Sequence, residues 1–123
     1  MTVNEAVMQA DDLLRSNPIS REVKFSWLSA LDHYLYVDLI ETHEGGEEVN
    51  FTPYTDGTDA ELLVPEPYSS LYVEYLKMKI FGEMHEYTRY NNSMTVFNRM
   101  LSSWRSAYHS THRPKSECVM KYM

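Results

Sequence analysis

The apolar positions at the start of the chain recur at helical spacing: Val3, Ala6, Val7, Ala10, Leu13 and Leu14. Thr2 and Glu5 bracket the start of that run with capping-box spacing, which satisfies amides that a helix start leaves unbonded. The pattern predicts an amphipathic helix with Asp11 and Asp12 opposite the apolar stripe. Asn17-Pro18 ends it and puts proline at the first position of a second helix, from about Ile19 to Glu41. Val23, Trp27, Leu31, Tyr34 and Leu35 make the stripe of that helix. From Tyr34 to Ile40 it is apolar nearly all round, which predicts burial on more than one side, in the core or against another subunit.

The helical pattern stops between Thr42 and Ala60. Glu44-Gly-Gly-Glu-Glu48 and Asp56-Gly57 are turn signals, and Val49 to Tyr54 alternates as a short strand would. Pro53 confines such a strand to an edge or an extended arm. A surface hairpin and an arm that reaches a neighbour both fit this stretch. Glu61-Leu-Leu-Val-Pro-Glu-Pro-Tyr68 reads as extended, because each proline biases the residue before it away from helix.

A third helix starts near Pro67, with Leu71, Tyr72, Tyr75, Leu76, Lys79 and Ile80 on one face. The stem of Lys79 can snorkel along that face. Gly82 weakens the helix near its end, and a break falls between about Gly82 and Glu86. Beyond it, Tyr87, Tyr90, Met94, Phe97, Met100, Leu101, Trp104 and Tyr108 step by three or four with no glycine or proline until Pro114. Asn91-Asn92-Ser93 is turn chemistry by composition, yet the stripe runs straight through it. The spacing therefore predicts one long helix over about 86–112. A second stripe, Asn91, Thr95, Asn98, Ser102, Arg105 and His109, lies off the apolar face. It is either solvent face or a surface on which another subunit packs. Asn91, Thr95, Asn98, Ser102 and Arg105 are the candidate interface residues.

The expected fold is all-α. It has about four helices, the last long, and an irregular or short β-hairpin-like loop at 42–60. One helical domain spans 1–113, and 114–123 is a C-terminal tail. An apolar fraction of 43% and an aromatic fraction of 13% suit one folded core. No run of 18 apolar residues predicts a membrane span, and no basic region followed by an apolar block predicts a secretory signal. Cys118, the single cysteine, cannot form an internal disulfide, which suits a reducing compartment.

Charge changes the picture more than composition does. Residues 1–66 hold 14 Asp/Glu and 3 Lys/Arg, net −11, whereas residues 67–123 hold 4 and 8, net +4. Such polarity suits either a solvated acidic face or self-association, acidic surface on basic surface. The overall −7 argues against sequence-specific DNA binding, which needs a basic footprint. The short Ser16–Ile19 turn between two helices still leaves a small regulatory or DNA-binding helix-turn-helix module as the alternative.

Catalytic signatures are scarce. His85-Glu86 lacks a second histidine at position 89, where Arg89 stands. His109 and His112 could share a helical face with Cys118 as a third ligand, but the spacing fits no zinc pattern. Asp56, Asp59 and Glu61 lack the calcium-loop sequence. No phosphate loop or nucleophile–base pair can be read. The expectation is no enzyme, no cofactor and no metal.

One run carries a family resemblance. The order is Leu-Leu-Val-Pro-Glu-Pro-Tyr at 62–68, Leu-Tyr-Val-Glu-Tyr-Leu at 71–76, then Tyr-Thr-Arg-Tyr-Asn-Asn-Ser-Met-Thr-Val-Phe-Asn at 87–98. It closes with Trp-Arg-Ser-Ala-Tyr-His-Ser-Thr-His-Arg-Pro at 104–114. This resembles small proteins of tailed-phage and prophage head-morphogenesis clusters, the head–tail connector or adaptor proteins. Trp27-Leu-Ser-Ala-Leu31 agrees more weakly. The resemblance implies an all-helical structural subunit of a homo-oligomeric ring that assembles on the portal protein. Such a ring extends the DNA channel and meets neck and tail proteins. It also implies location at the head–tail junction of the virion, with assembly in the bacterial cytoplasm and no membrane partner.

Overall fold

The computed structural model describes residues 1–40, 51–55 and 59–112. The tail at 114–123 and most of the loop expected at 42–60 lie outside the described residues. The described part is all-α apart from one isolated bridge. Four helices, α1 (Val3–Leu13), α2 (Arg21–Leu35), α3 (Leu71–Glu83) and α4 (Tyr87–Thr111), follow in order, with a π-helical segment, Tyr36–Ile40, continuing α2.

Helix α1 starts as its sequence dictates. The Thr2 side chain accepts the amide of Glu5 at 3.2 Å, and its hydroxyl meets the Glu5 carboxylate at 3.3 Å. Val3, Ala6, Val7 and Ala10 are buried. Leu13, by contrast, stands 62% exposed, because the helix ends there and the stripe runs off the core. Asp11 does not simply face water. Its carboxylate takes the ammonium of Lys24, which is buried, and the amide of Asn17 at 3.2 Å. Asn17 also closes the turn after α1, donating to the Leu14 carbonyl at 2.7 Å and accepting the amide of Ile19 at 3.2 Å.

Helix α2 begins at Arg21 rather than at Pro18. Ser20 is the cap, its hydroxyl accepting the amide of Val23 at 3.3 Å, so proline lies outside the helix. The buried face also differs from the expected stripe. Phe25, Leu28, Leu31, Asp32 and Leu35 turn inward, while Val23 is 40% and Tyr34 57% exposed. Past Leu35 the expected helix continues as the wider-turned π-helical segment, and at the junction the Tyr36 amide still reaches the Asp32 and His33 carbonyls. Burial in that segment is one-sided, with Leu39 and Ile40 inside and Val37 out.

Helix α3 is the centre of the molecule. Leu71, Tyr72, Val73, Leu76, Met78, Ile80 and Phe81 point in several directions around it and all are buried, so the single expected face becomes burial nearly all round. The helix touches α1, α2 and α4. It starts at Leu71, four residues after Pro67. A chain of turns fills the interval: Tyr68 bonds back to Pro65 at 2.9 Å and Leu71 to Tyr68 at 3.1 Å.

The break between α3 and α4 falls where expected. His85 adopts φ 59°, and the Glu86 amide reaches the Phe81 carbonyl at 2.9 Å, a Schellman-type closure. Gly82 has a second role beyond weakening the helix. A Cβ there would lie 3.2 Å from the Tyr90 ring, so glycine lets α3 and α4 approach closely. Helix α4 then runs unbroken for 25 residues through Asn91, Asn92 and Ser93.

The isolated bridge ties the chain start to the segment before the prolines. Thr2 pairs with Glu61 antiparallel, the Val3 amide bonds to the Ala60 carbonyl at 2.9 Å, and the Leu62 amide bonds to the Met1 carbonyl at 3.0 Å.

Candidate functional site

Helix α4 carries the candidate interface. It packs on α3 along a narrow line, burying only Ser93, Phe97 and Trp104. Phe97 meets Tyr75 of α3 with ring centroids 5.2 Å apart, and Trp104 packs against Tyr108 at 5.5 Å. The asparagine run splits by direction: Ser93 goes into the core, while Asn91 and Asn92 point out. A polar triplet fits inside a helix here because its one inward member is small.

Asn91, Thr95, Asn98 and Ser102 are all exposed. The Thr95 hydroxyl donates to the Asn91 carbonyl at 3.0 Å, so part of its hydrogen-bonding capacity is spent within the helix. Arg105 differs from the other four. Its guanidinium pairs with Asp38 of the π-helical segment at 3.1 Å and lies over the Tyr34 ring, 5.8 Å from the centroid. It clamps the end of α4 to the α2 side of the fold. His109 is exposed.

The other sequence candidates do not converge. His112 stacks on Tyr108, centroids 4.0 Å apart, with Nδ1 near the Thr111 hydroxyl and the Tyr108 carbonyl. Cys118 and Asp56 lie outside the described residues. Asp59 accepts the Asn4 amide at 3.4 Å, and Glu61 meets the amino terminus at 3.4 Å. Among the described residues no group of three His, Cys, Asp or Glu could hold a metal ion, and no helix is long and apolar enough to cross a membrane. A helix-turn-helix use of α2 would rely on its cations, yet Lys24 is buried on Asp11. Arg21, the other cation, lies over the Phe25 ring and bonds to Asn4.

The most developed polar cluster was not readable from the sequence. Asp32, with no exposed surface, accepts three hydrogen bonds: from the Tyr54 hydroxyl, from the Tyr72 hydroxyl at 2.6 Å and from the Leu63 amide at 3.0 Å. The Tyr72 hydroxyl in turn accepts the Val64 amide at 2.8 Å. Burial raises the Asp32 carboxyl above its ordinary range, against the opposing pull of Tyr54, Tyr72 and the Leu63 amide. Burial, with Asp32 beside them, also raises both tyrosine hydroxyls. This hub joins α2, α3 and two irregular segments by hydrogen bonds rather than by apolar area. An aspartate in line with Leu28, Leu31 and Leu35 was the available signal. Its partners, 22 and 40 residues away, were not.

Beside the hub, a cleft of about 520 Å³ opens between α2 and residues 51–55. Phe25, Phe51 and Tyr54 line it, with Ser26, Ser29 and His33. Phe51 stacks on His33 at 5.4 Å, and the Tyr54 amide bonds to the Ser29 hydroxyl at 3.2 Å. These contacts hold the segment against the helix.

No family model, curated protein or solved structure matches the chain.

Proposed function

We propose that this protein is a structural subunit of virion assembly, a head–tail connector or adaptor that docks on a portal protein and joins a ring of identical copies around the DNA path. The observation that carries this reading is the division of labour along α4. A 25-residue helix buries three residues, packs Met100, Leu101 and Tyr108 against the core, and leaves a long polar side outward. It lies in the run whose sequence resembles the phage connector proteins, and that run maps onto one continuous unit: the segment at 62–68, which bends and turns instead of running extended, then α3, the tight turn and α4. The charge polarity of the chain supports the same reading, because head-to-tail contacts in a ring pair unlike surfaces. On this reading the work is docking and sealing, with no catalytic step and no cofactor.

Electron microscopy of the protein mixed with its cognate portal tests it. A ring at the portal vertex is the expected result. Absence of portal binding, together with heads that accept tails without this protein, sinks the reading. Genes for portal, capsid and tail proteins beside its own would add support from an independent direction.

A further inference from the structure

The turn that follows α1 and the turn that joins α3 to α4 meet at one end of the molecule and enclose a notch of about 220 Å³. Leu13 and Met84 line it while standing 62% and 41% exposed, and the buried ring of Phe81 contributes to its wall. Two cations, Arg15 and Arg89, also line it, with Leu14, Asn17 and one acid, Glu86. Arg89 lies over the Phe81 ring, 5.8 Å from the centroid, and meets Glu86 only at 3.9 Å. Arg15 is exposed and makes no ion pair among the described residues. A mixed recess, with apolar side chains beside two guanidinium groups and one carboxylate, fits a short segment that carries several carboxylates beside an aliphatic side chain.

We propose that the notch receives residues 41–49 of a second copy of this chain. That segment has Glu41, Glu44, Glu47 and Glu48, no lysine or arginine, and Val49 directly after the last pair of carboxylates. It holds four acids in eight residues, and the notch sets two cations against one carboxylate. Ten residues separate Ile40 from Phe51, a contour of at most about 33 Å at about 3.3 Å per residue, which is length enough to reach a neighbouring subunit. The contact is heterologous, one surface on a different surface, so it propagates around a ring. The inference rests on the self-assembling reading above and names the two surfaces that meet.

Charge reversal tests it. One variant carries Arg15→Glu and Arg89→Glu; the other carries Glu44→Lys, Glu47→Lys and Glu48→Lys. Sedimentation velocity at low ionic strength, up to the millimolar range, should show the wild type self-associating and each variant alone associating at least tenfold more weakly. An equimolar mixture of the two variants should recover association, because each then offers what the other lacks. Circular dichroism melts establish that both variants are folded. Wild type that stays monomeric throughout overturns the proposal. So does a mixture that stays monomeric while a single chain carrying all five changes behaves as wild type, since the contact then lies within one chain. Loss of the contact with portal binding intact leaves the connector reading standing. Self-association through the notch without portal binding does the reverse.

Discussion

Helices α3 and α4 are neighbours joined by a three-residue turn, yet they solve opposite problems. Seven of the 13 residues of α3 are buried, in every direction around the axis; three of the 25 residues of α4 are buried, along one line. A helix that is apolar all round holds a fold together, and a helix that is polar on most of its circumference has surface left for something else. The difference teaches where to look for each kind of effect. Changes in α3 register as stability, and changes on the outer side of α4 register in assembly.

Four experiments press on that contrast. The largest stability effect is expected inside α3. Leu76→Ala removes a side chain with no exposed surface and should cost about 2–5 kcal/mol in urea unfolding. An exposed apolar residue of α4, as in Val96→Ala, should cost less than about 1 kcal/mol by the same measurement.

The second concerns the hub that α3 shares with α2. Asp32→Ala strands two tyrosine hydroxyls and the Leu63 amide, at a cost of about 2 kcal/mol. Its pH dependence has a definite sign. Because burial raises Asp32 in the folded state, the native protein holds a proton there that the unfolded chain has already released. The contribution is complete below the ordinary carboxylate range and is lost as pH rises toward the raised folded value. The stability of wild type relative to Asp32→Asn should therefore fall from about pH 4 upward and then level off. A difference that rises with pH over that interval contradicts the assignment.

The third probes the seam between the two helices. Gly82→Ala gains helix propensity of about 1 kcal/mol but presses on the Tyr90 ring, so the net change should be small. In a Tyr90→Ala background the ring is gone, and the same substitution should stabilise by about 0.5–1 kcal/mol. Additive behaviour in that cycle would mean that close approach is not why glycine stands there.

The smallest stability effect belongs to the outer side of α4. Asn91→Arg with Asn98→Arg should leave unfolding within about 0.5 kcal/mol of wild type, since both sites are exposed. The pair should block ring assembly if that side meets a neighbour. Normal assembly of the double variant returns the stripe to solvent and shifts attention to the notch beside Leu13.

Much of this fold could be read before any coordinates. Helix α4 was legible because its stripe persists for six turns, long enough for period to outweigh the local turn preference of three residues. Helix α1 was legible because its cap and stripe agree. The outward turn of Val23 and Tyr34 and the inward turn of Phe25 and Leu28 were not legible: α2 has apolar residues on adjacent faces, and period alone does not choose between them. The start at Arg21 instead of Pro18 reflects two local cap signals, Asn17 and Ser20, three residues apart, of which the hydroxyl cap prevailed. Of the candidate interface residues, four emerge on the outside of α4, and the fifth, Arg105, is drawn off by Asp38, a pairing across 67 positions that no local pattern carries.

The Leu63 and Val64 amides sit in backbone without helix or strand, a setting in which hydrogen exchange is usually fast. Here one donates to the buried Asp32 carboxylate and the other to the Tyr72 hydroxyl. The Leu63 bond is part-buried, whereas the Val64 bond is buried, and that amide meets solvent only when α3 parts from the segment before it. Deuterium uptake at Val64 would thus report the opening of the core. Assembly on a partner would slow that uptake only if it stabilises the subunit itself.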